Sequence, residues 1–177
     1  MRQIVLLRGI NIGSRRRIAM GPLRELLVGA GFLGARTYLQ SGNVVLCSDA
    51  MPEELARECE QLIAERFGFD VAVIVRTRFE LSEVVALNPL SEVATEPKRY
   101  QVSFLAREPD PELVSRVSAL VRAPERLVVI GRELYAWHPE GIARSKLWAK
   151  LAGSGLGVTA TARNWTTVTN LLALADE

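Results

Sequence analysis

Short apolar runs separated by turn-forming residues predict strands along the whole chain. Two pairs of these runs are joined by tight glycine-containing turns, at Ser41-Gly42 and Gly131-Arg132, and each pair therefore predicts a β-hairpin. The predicted strands cover residues 4–7, 36–40, 43–47, 71–75, 100–105, 127–130, 134–137 and 158–161.

Between the runs, apolar residues recur three and four positions apart, which is the spacing of one helix face. The ends are marked by ordinary signals: Asp110-Pro111 is an N-cap followed by proline in the first turn, and Asn164 caps the last helix. Gly68 and the glycine-rich stretch 153–157 are expected to stop two others. The apolar faces of the predicted helices lie within residues 23–30, 55–67, 81–85, 113–121, 147–151 and 168–172.

The order of these elements predicts an α+β fold. Residues 1–78 read βαββαβ, the order of a ferredoxin-like unit (an α/β plait), and residues 99–177 read βαββα(β)α. Residues 79–98 are predicted to form a connector with a short helix. The fold class is therefore two tandem ferredoxin-like units with antiparallel sheets and an extra C-terminal helix. The two halves share this order without a clear repeat in sequence.

The amino-acid composition excludes some classes of protein but does not indicate a function. The chain has 177 residues, of which 49% are hydrophobic and 24% charged, so it can build a core and is expected to fold. Its net charge is only +2, which is too small for a long-range field that would draw nucleic acid or a membrane surface. Such binding would need a local patch, and the candidate run is Arg15-Arg16-Arg17.

The reactive residue types are few. Cys47 and Cys59 form no CxxC pattern and His138 is the sole histidine, so we do not expect a zinc site. We also expect no cofactor. Both thiols are predicted to be reduced and packed as small hydrophobes. Arg8 interrupts the first apolar run too early for a signal peptide, and no run approaches the ~20 residues of a membrane span. The expected location is the cytoplasm, without membrane binding.

The plait topology gathers polar residues at two sheet edges, because the first crossover is right-handed and the first two strands run parallel. Donors beside a helix start attract anions. The first edge holds Arg8, Asn11, Gly13, Ser14, Arg15, Arg16, Arg17, Gln40, Ser41 and Asn43, and the second holds Gly141, Arg144, Ser145 and Lys146 facing Thr161, Arg163 and Asn164.

A plainer interpretation stays open for both edges. Glycine and serine are ordinary turn residues, and the amides could satisfy loop backbone. Ser145 and Asn164 are good N-caps, worth about 1 kcal/mol each. Capping does not explain Arg144, Lys146 and Arg163, because cations at helix starts oppose the helix dipole.

Several segments carry a resemblance to a known family. They are LLRGINIG followed by a basic residue and Met20, then TYLQSGNVV, ARSKL and TATARNWTTV. Together they resemble the bacterial domain-of-unknown-function 1697 family over essentially the whole chain. The resemblance implies two tandem ferredoxin-like plaits and carries no established activity. The family's polar positions fall here on Arg8, Gly9, Asn11, Gly13, Gln40, Ser41, Gly42, Asn43, Ser145, Lys146, Thr161, Arg163 and Asn164, with Arg17 taken as its basic position from the spacing to Met20.

Four functions remain. The favoured one is a binding protein for a phosphate- or carboxylate-bearing small ligand such as a nucleotide. The sequence argues against an enzyme, because His138 lacks an evident catalytic partner and no GxSxG or HExxH motif occurs. Catalysis by electrostatic positioning of a substrate alone remains an open alternative. Single-stranded RNA binding would use Tyr100, Phe104, Tyr135 and Trp137 on central strands, where core packing is the plainer role. An interaction or homo-oligomerisation module would use the uncovered sheet faces.

Overall fold

The apolar runs and helical stretches become eight strands and six α-helices in the part of the chain that the structure, a computed structural model, describes, residues 1–153 and 155–177. The strands are β1 Arg2–Leu7, β2 Arg36–Tyr38, β3 Asn43–Cys47, β4 Val73–Thr77, β5 Tyr100–Leu105, β6 Arg126–Ile130, β7 Glu133–Trp137 and β8 Ala160–Asn164. The helices are α1 Met20–Gly29, α2 Pro52–Phe67, α3 Arg78–Leu87, α4 Pro111–Ser118, α5 Lys146–Ala152 and α6 Trp165–Asp176, with a 3₁₀ turn at Pro97–Arg99.

The strands form two antiparallel four-stranded sheets, so the predicted α+β class is confirmed. The strand orders are β2-β3-β1-β4 and β6-β7-β5-β8, and both are consistent with a ferredoxin-like plait. The chain divides into two compact units, one made of Met1–Glu83 with Asn170–Glu177 and the other of Val84–Thr169. The sequence-based boundaries at residues 78 and 99 stay a prediction. Among the described residues, no helix combines the length and apolar character needed to cross a bilayer.

In the first unit, β1 is central and its Val5 lies opposite both Val44 of β3 and Val75 of β4. One face of this sheet packs on apolar residues of α1 and α2. Cys59 belongs to that core and is fully buried, as predicted. Cys47 is exposed at the end of β3, so the prediction that it packs as a small hydrophobe is wrong. It is the last residue of β3, and the other four residues of that strand are buried.

In the second unit, β5 is central between β7 and β8, and Leu105, Leu134 and Ala160 pack on α4 and α5. The predicted caps are confirmed: Asp110 accepts a hydrogen bond from the Leu113 N–H at 2.7 Å, and the side chain of Asn164 accepts one from the Thr167 N–H at 2.9 Å.

Two boundaries in the second unit differ from the sequence pattern. Helix α4 ends at Ser118, so the predicted continuation to residue 121 is wrong. Strand β8 covers Ala160–Asn164 instead of residues 158–161, because its register follows β5 from Leu105 opposite Ala160 to Gln101 opposite Asn164. Helix α5 ends before the glycine-rich stretch, in which Ser154 lies outside the described residues.

Candidate functional site

The first polar edge is assembled as the topology predicts. The Leu7 N–H at the end of β1 donates to the Gly42 carbonyl of the β2–β3 turn at 2.8 Å. The side-chain amide of Asn11 donates to the Gln40 carbonyl at 2.6 Å, which ties the loop after β1 to the same turn. Residues 8–17 and 40–43 therefore share one edge of the first unit.

Much of the amide chemistry at this edge is used inside the loops. Asn11 also donates to the Ile18 carbonyl at 2.8 Å and accepts from the Ile18 N–H at 2.9 Å. The Asn43 amide donates to the Tyr38 carbonyl and the Ser41 hydroxyl, both at 3.0 Å. These contacts support the plainer interpretation for Asn11 and Asn43, whose amides satisfy loop backbone.

The second edge contains a cavity of about 610 Å³. Its wall is built by two loops, the α4–β6 loop and the β7–α5 loop, whose ends are joined through the β6–β7 hairpin. The lining residues are Arg122, Ala123, Pro124, Glu125, Pro139, Glu140, Gly141, Ala143, Arg144, Ser145 and Lys146. This volume lies within the usual range for small-molecule sites. We call it the basic cavity.

Three cationic side chains line the basic cavity. Arg122, Arg144 and Lys146 are exposed, and none of their side chains has a hydrogen bond or ion pair with any described residue. Two carboxylates share the wall, Glu125 and Glu140. Glu125 is engaged by other groups, and Glu140 forms no ion pair with a described residue, so neither carboxylate neutralises the three cations by contact.

Glu125 joins the segments that form the wall. Its carboxylate lies 2.9 Å from Nδ1 of His138 and accepts the Arg122 backbone N–H at 3.3 Å. The Ser145 hydroxyl, which also accepts the Trp148 N–H at the start of α5, is a further donor. Burial raises the pKa of Glu125, but hydrogen bonds from Ser145, His138 and the Arg122 N–H outweigh it, and the pKa lies below its ordinary value.

His138 supports the site without reaching it. Its ring is fully buried, meets Trp148 edge-on at 5.9 Å, and is not part of the cavity lining. The partner that sequence reasoning missed is Glu125. The hairpin pairs Arg126 with Trp137, so Glu125 and His138 are the next opposed positions, and counting outward from the Gly131-Arg132 turn would have found them.

The structure does not bring the β8 residues into the basic cavity. Thr161 and Arg163 face away from the α4 and α5 core, and Asn164 caps α6. Arg163 is 8% exposed and donates to the Thr161 hydroxyl and the Ala162 carbonyl, both at 2.8 Å. Burial lowers its pKa to about 10.

The aromatic residues on the central strands of the second unit are buried. Tyr100, Phe104 and Tyr135 are at most 1% exposed and Trp137 is 6% exposed. Tyr100 stacks on Trp165 with ring centroids 4.7 Å apart. The rings are therefore core residues here, and their faces are not open for base stacking.

Arg122 and Glu125 are two of the wall residues that the predicted site lacked. They follow α4 in a loop that showed no polar motif in sequence, and they reach Ser145 and Lys146 only because β6 and β7 pair. Among the described residues, no group of three His, Cys, Asp or Glu side chains could hold a metal ion.

Comparison with known proteins agrees with the resemblance found in the sequence. The sequence model of a family described as "Protein of unknown function (DUF1697)" matches residues 1–135. The chain belongs to this family. The DUF1697 match covers the whole first unit apart from its C-terminal segment and extends to Tyr135 of β7.

A solved structure has the same fold as this DUF1697 member. It is the conserved bacterial protein SP0830 from Streptococcus pneumoniae, with a TM-score of 0.81 and 20% sequence identity over 98% of both chains. At this identity the likeness concerns the fold alone. No curated protein matches the sequence. The chain is thus a member of a family whose function is unknown.

Proposed function

We propose that this protein binds a phosphate- or carboxylate-bearing small molecule, such as a nucleotide, in the basic cavity. The observation that carries the proposal is the set of three unpartnered cations, Arg122, Arg144 and Lys146, around a cavity of about 610 Å³. Guanidinium groups donate two parallel hydrogen bonds to carboxylate or phosphate oxygens, and an ammonium adds a point charge.

The clustering of these cations is unfavourable by itself. Like charges that face one space repel each other, and Lys146 is the first residue of α5, where a cation opposes the helix dipole. A residue that opposes the local electrostatic preference and forms no stabilising contact in exchange is typical of a functional position. An anion in the cavity removes the repulsion, so ligand binding and stability are coupled.

The role of Glu125 is to hold the two loops of the cavity wall together, and it is not expected to bind the anionic ligand itself. Its carboxylate is occupied by His138, the Arg122 N–H and Ser145, and these contacts fix the loop that carries Arg122 against the loop that carries Arg144. A fixed wall reduces the ordering that a ligand would otherwise have to impose.

A thermal-shift screen tests the proposal. The purified chain is melted with inorganic phosphate, nucleoside mono- and triphosphates, sugar phosphates and dicarboxylates, in parallel with Arg144→Gln and Lys146→Gln. A compound at a hundred times its Kd should add about 2.7 kcal/mol, a shift of a few degrees. We expect one of these anions to stabilise the wild type and to lose most of its effect in both variants.

Arg57→Gln is the matched control, because Arg57 is an exposed arginine on α2 with no partner among the described residues. It should keep the full ligand effect. If no anion shifts the wild type, or if the control loses the effect equally, the basic cavity is not the binding site. A cytoplasmic location is part of this proposal and is supported by the two cysteines, which are free thiols.

A further inference from the structure

A second concentration of positive charge lies in the first unit, away from the residues of the basic cavity in sequence. Residues 1–24 contain six arginines and no aspartate or glutamate, although the whole chain carries a net charge of only +2. Three of the arginines are consecutive, at Arg15, Arg16 and Arg17, and all three are exposed. We call residues 11–18 the arginine loop.

The arginine loop is held in shape by its own contacts. The Asn11 N–H donates to the Arg16 carbonyl at 3.0 Å, and the Asn11 side chain bonds both backbone groups of Ile18. Asn11 and Arg16 adopt positive φ angles of 55° and 51°. Asparagine accepts this left-handed region well, whereas arginine rarely adopts it. The hydrogen bonds of Asn11 therefore hold the loop in a conformation that is unfavourable for the backbone of Arg16.

The side chains that the loop presents are available to a partner. The side chains of Arg15 and Arg16 have no hydrogen bond or ion pair with any described residue. Arg17 donates to the Gly13 carbonyl at 3.0 Å, a contact that leaves its remaining N–H groups uncommitted by the described hydrogen bonds. Consecutive exposed guanidinium groups, in a segment of sequence without acidic residues, suit a row of anions better than a single one.

Two aliphatic side chains share this edge. Ile12 in the arginine loop is 76% exposed, and Leu39 in the β2–β3 turn is 55% exposed. They come from the two loops that Asn11 joins through its bond to the Gln40 carbonyl. The edge thus combines arginines with apolar surface, and both are open to solvent.

We propose that the arginine loop binds the phosphate backbone of a single-stranded nucleic acid. The arginines neutralise successive phosphates, a contact that carries affinity without sequence information. Ile12 and Leu39 contact base or sugar faces, which a single strand exposes and a duplex hides. The site differs from the basic cavity in residues, unit and ligand, and it does not depend on the small-molecule proposal.

Fluorescence anisotropy with a labelled 16-nucleotide oligo-U RNA tests the proposal, with the full chain titrated at several salt concentrations. Arg15→Gln/Arg16→Gln removes two free cations and spares Arg17, so the loop keeps its internal bonds. The logarithm of the association constant falls as the logarithm of the salt concentration rises, and each phosphate contact on a single strand contributes about −0.7 to this slope. The double variant should therefore make the slope shallower by about 1.4 and weaken binding about 50-fold at 50 mM salt.

The control is Arg57→Gln/Arg66→Gln, which removes the same charge from exposed positions of α2. It should bind within about twofold of the wild type. Ile12→Ser should weaken single-strand binding without changing the salt slope. The proposal is overturned if the RNA does not bind, if both double variants lose affinity equally, or if a duplex of the same length binds as well as the single strand. Binding to phosphatidylserine vesicles in place of RNA would also overturn it and assign the loop to a lipid surface.

Discussion

At the scale of single residues, the two cysteines differ in chemistry because they differ in burial. Cys59 is fully buried on α2, and burial, with smaller effects of Glu58 and Glu60, raises its pKa to about 12. Cys47 is exposed. Because the thiolate is the reactive form, we expect iodoacetamide at pH 8 to modify one thiol in the folded protein and two after denaturation. Mass spectrometry should find the native label on Cys47, and equal labelling of Cys59 would contradict its burial.

Glu125 makes the stability of the second unit depend on acid pH. Its folded pKa lies below the ordinary value of 4.5, so the stabilisation is present above pH 4.5 and is lost as the pH falls through the folded pKa. Glu125→Gln should reduce stability by about 1–3 kcal/mol at pH 7. Its Tm should then fall less than that of the wild type between pH 5 and about 3.

The exposed Glu140 of the same cavity wall supplies the comparison. It has no hydrogen bond with the described residues, so Glu140→Gln should leave the stability at pH 7 within about 0.5 kcal/mol of the wild type. An equal loss in both variants, measured by urea unfolding, would show that the contacts of Glu125 do not stabilise the fold.

At the scale of elements, the β2–β3 hairpin depends on one glycine. Gly42 has a φ of +74°, and a Cβ there would lie 2.6 Å from Cβ of Leu7 and 2.8 Å from Cδ1 of Ile10. Gly68 has a similar φ of +79° after α2 but open space around it. Gly42→Ala should therefore cost about 2–4 kcal/mol, since strain and overlap add. Gly68→Ala should cost only about 1–2 kcal/mol, from strain alone.

Chemical denaturation of the two variants measures this difference. Because both substitutions place alanine at positive φ, the excess for Gly42→Ala isolates the steric overlap with Leu7 and Ile10. Equal losses would mean that the turn moves away from β1 at no cost. The edge that carries the arginine loop would then be less rigid than its hydrogen bonds suggest.

The same scale shows where local pattern succeeds. The turn at Gly131-Arg132 predicts the β6–β7 hairpin, and the cap at Asp110 predicts the start of α4, since both depend on residues close in sequence. The observed end of α4 and the observed start of β8 differ by two or three residues from those that the apolar pattern predicts. Those ends are set by pairing with β5 and by packing, which are contacts with distant residues.

At the scale of the whole molecule, the first unit is not continuous in sequence. It includes Asn170–Glu177, whose Asn170 amide donates to the Tyr38 hydroxyl at 2.7 Å and whose Asp176 pairs with Arg78 at 2.7 Å. Leu171 in this segment is 1% exposed. Deleting residues 170–177 should lower stability by about 2 kcal/mol or more, chiefly because Leu171 is lost from a buried site.

The double variant Arg36→Gln/Arg78→Gln separates packing from charge. It removes the ion pairs of this segment, Arg36 with Glu177 and Arg78 with Asp176, both of which are largely exposed. Exposed pairs contribute about 0–1 kcal/mol each, so the double variant should keep most of the stability that the deletion loses. A deletion that leaves the Tm unchanged would show that the first unit folds without residues 170–177.

The sequence alone was sufficient for the α+β class, the order of the elements, both hairpins, and the gathering of Asn11, Gln40 and Asn43 at one edge. These features follow from periodicity and turn chemistry, which act over a few residues. The basic cavity could be found only in the tertiary structure. Arg122 and Glu125 come from a loop that carries no polar motif, and they lie beside Arg144 and Lys146 only because β6 pairs with β7. The burial of Arg163 and the place of the last eight residues were decided in the same way, by contacts between residues far apart in the chain.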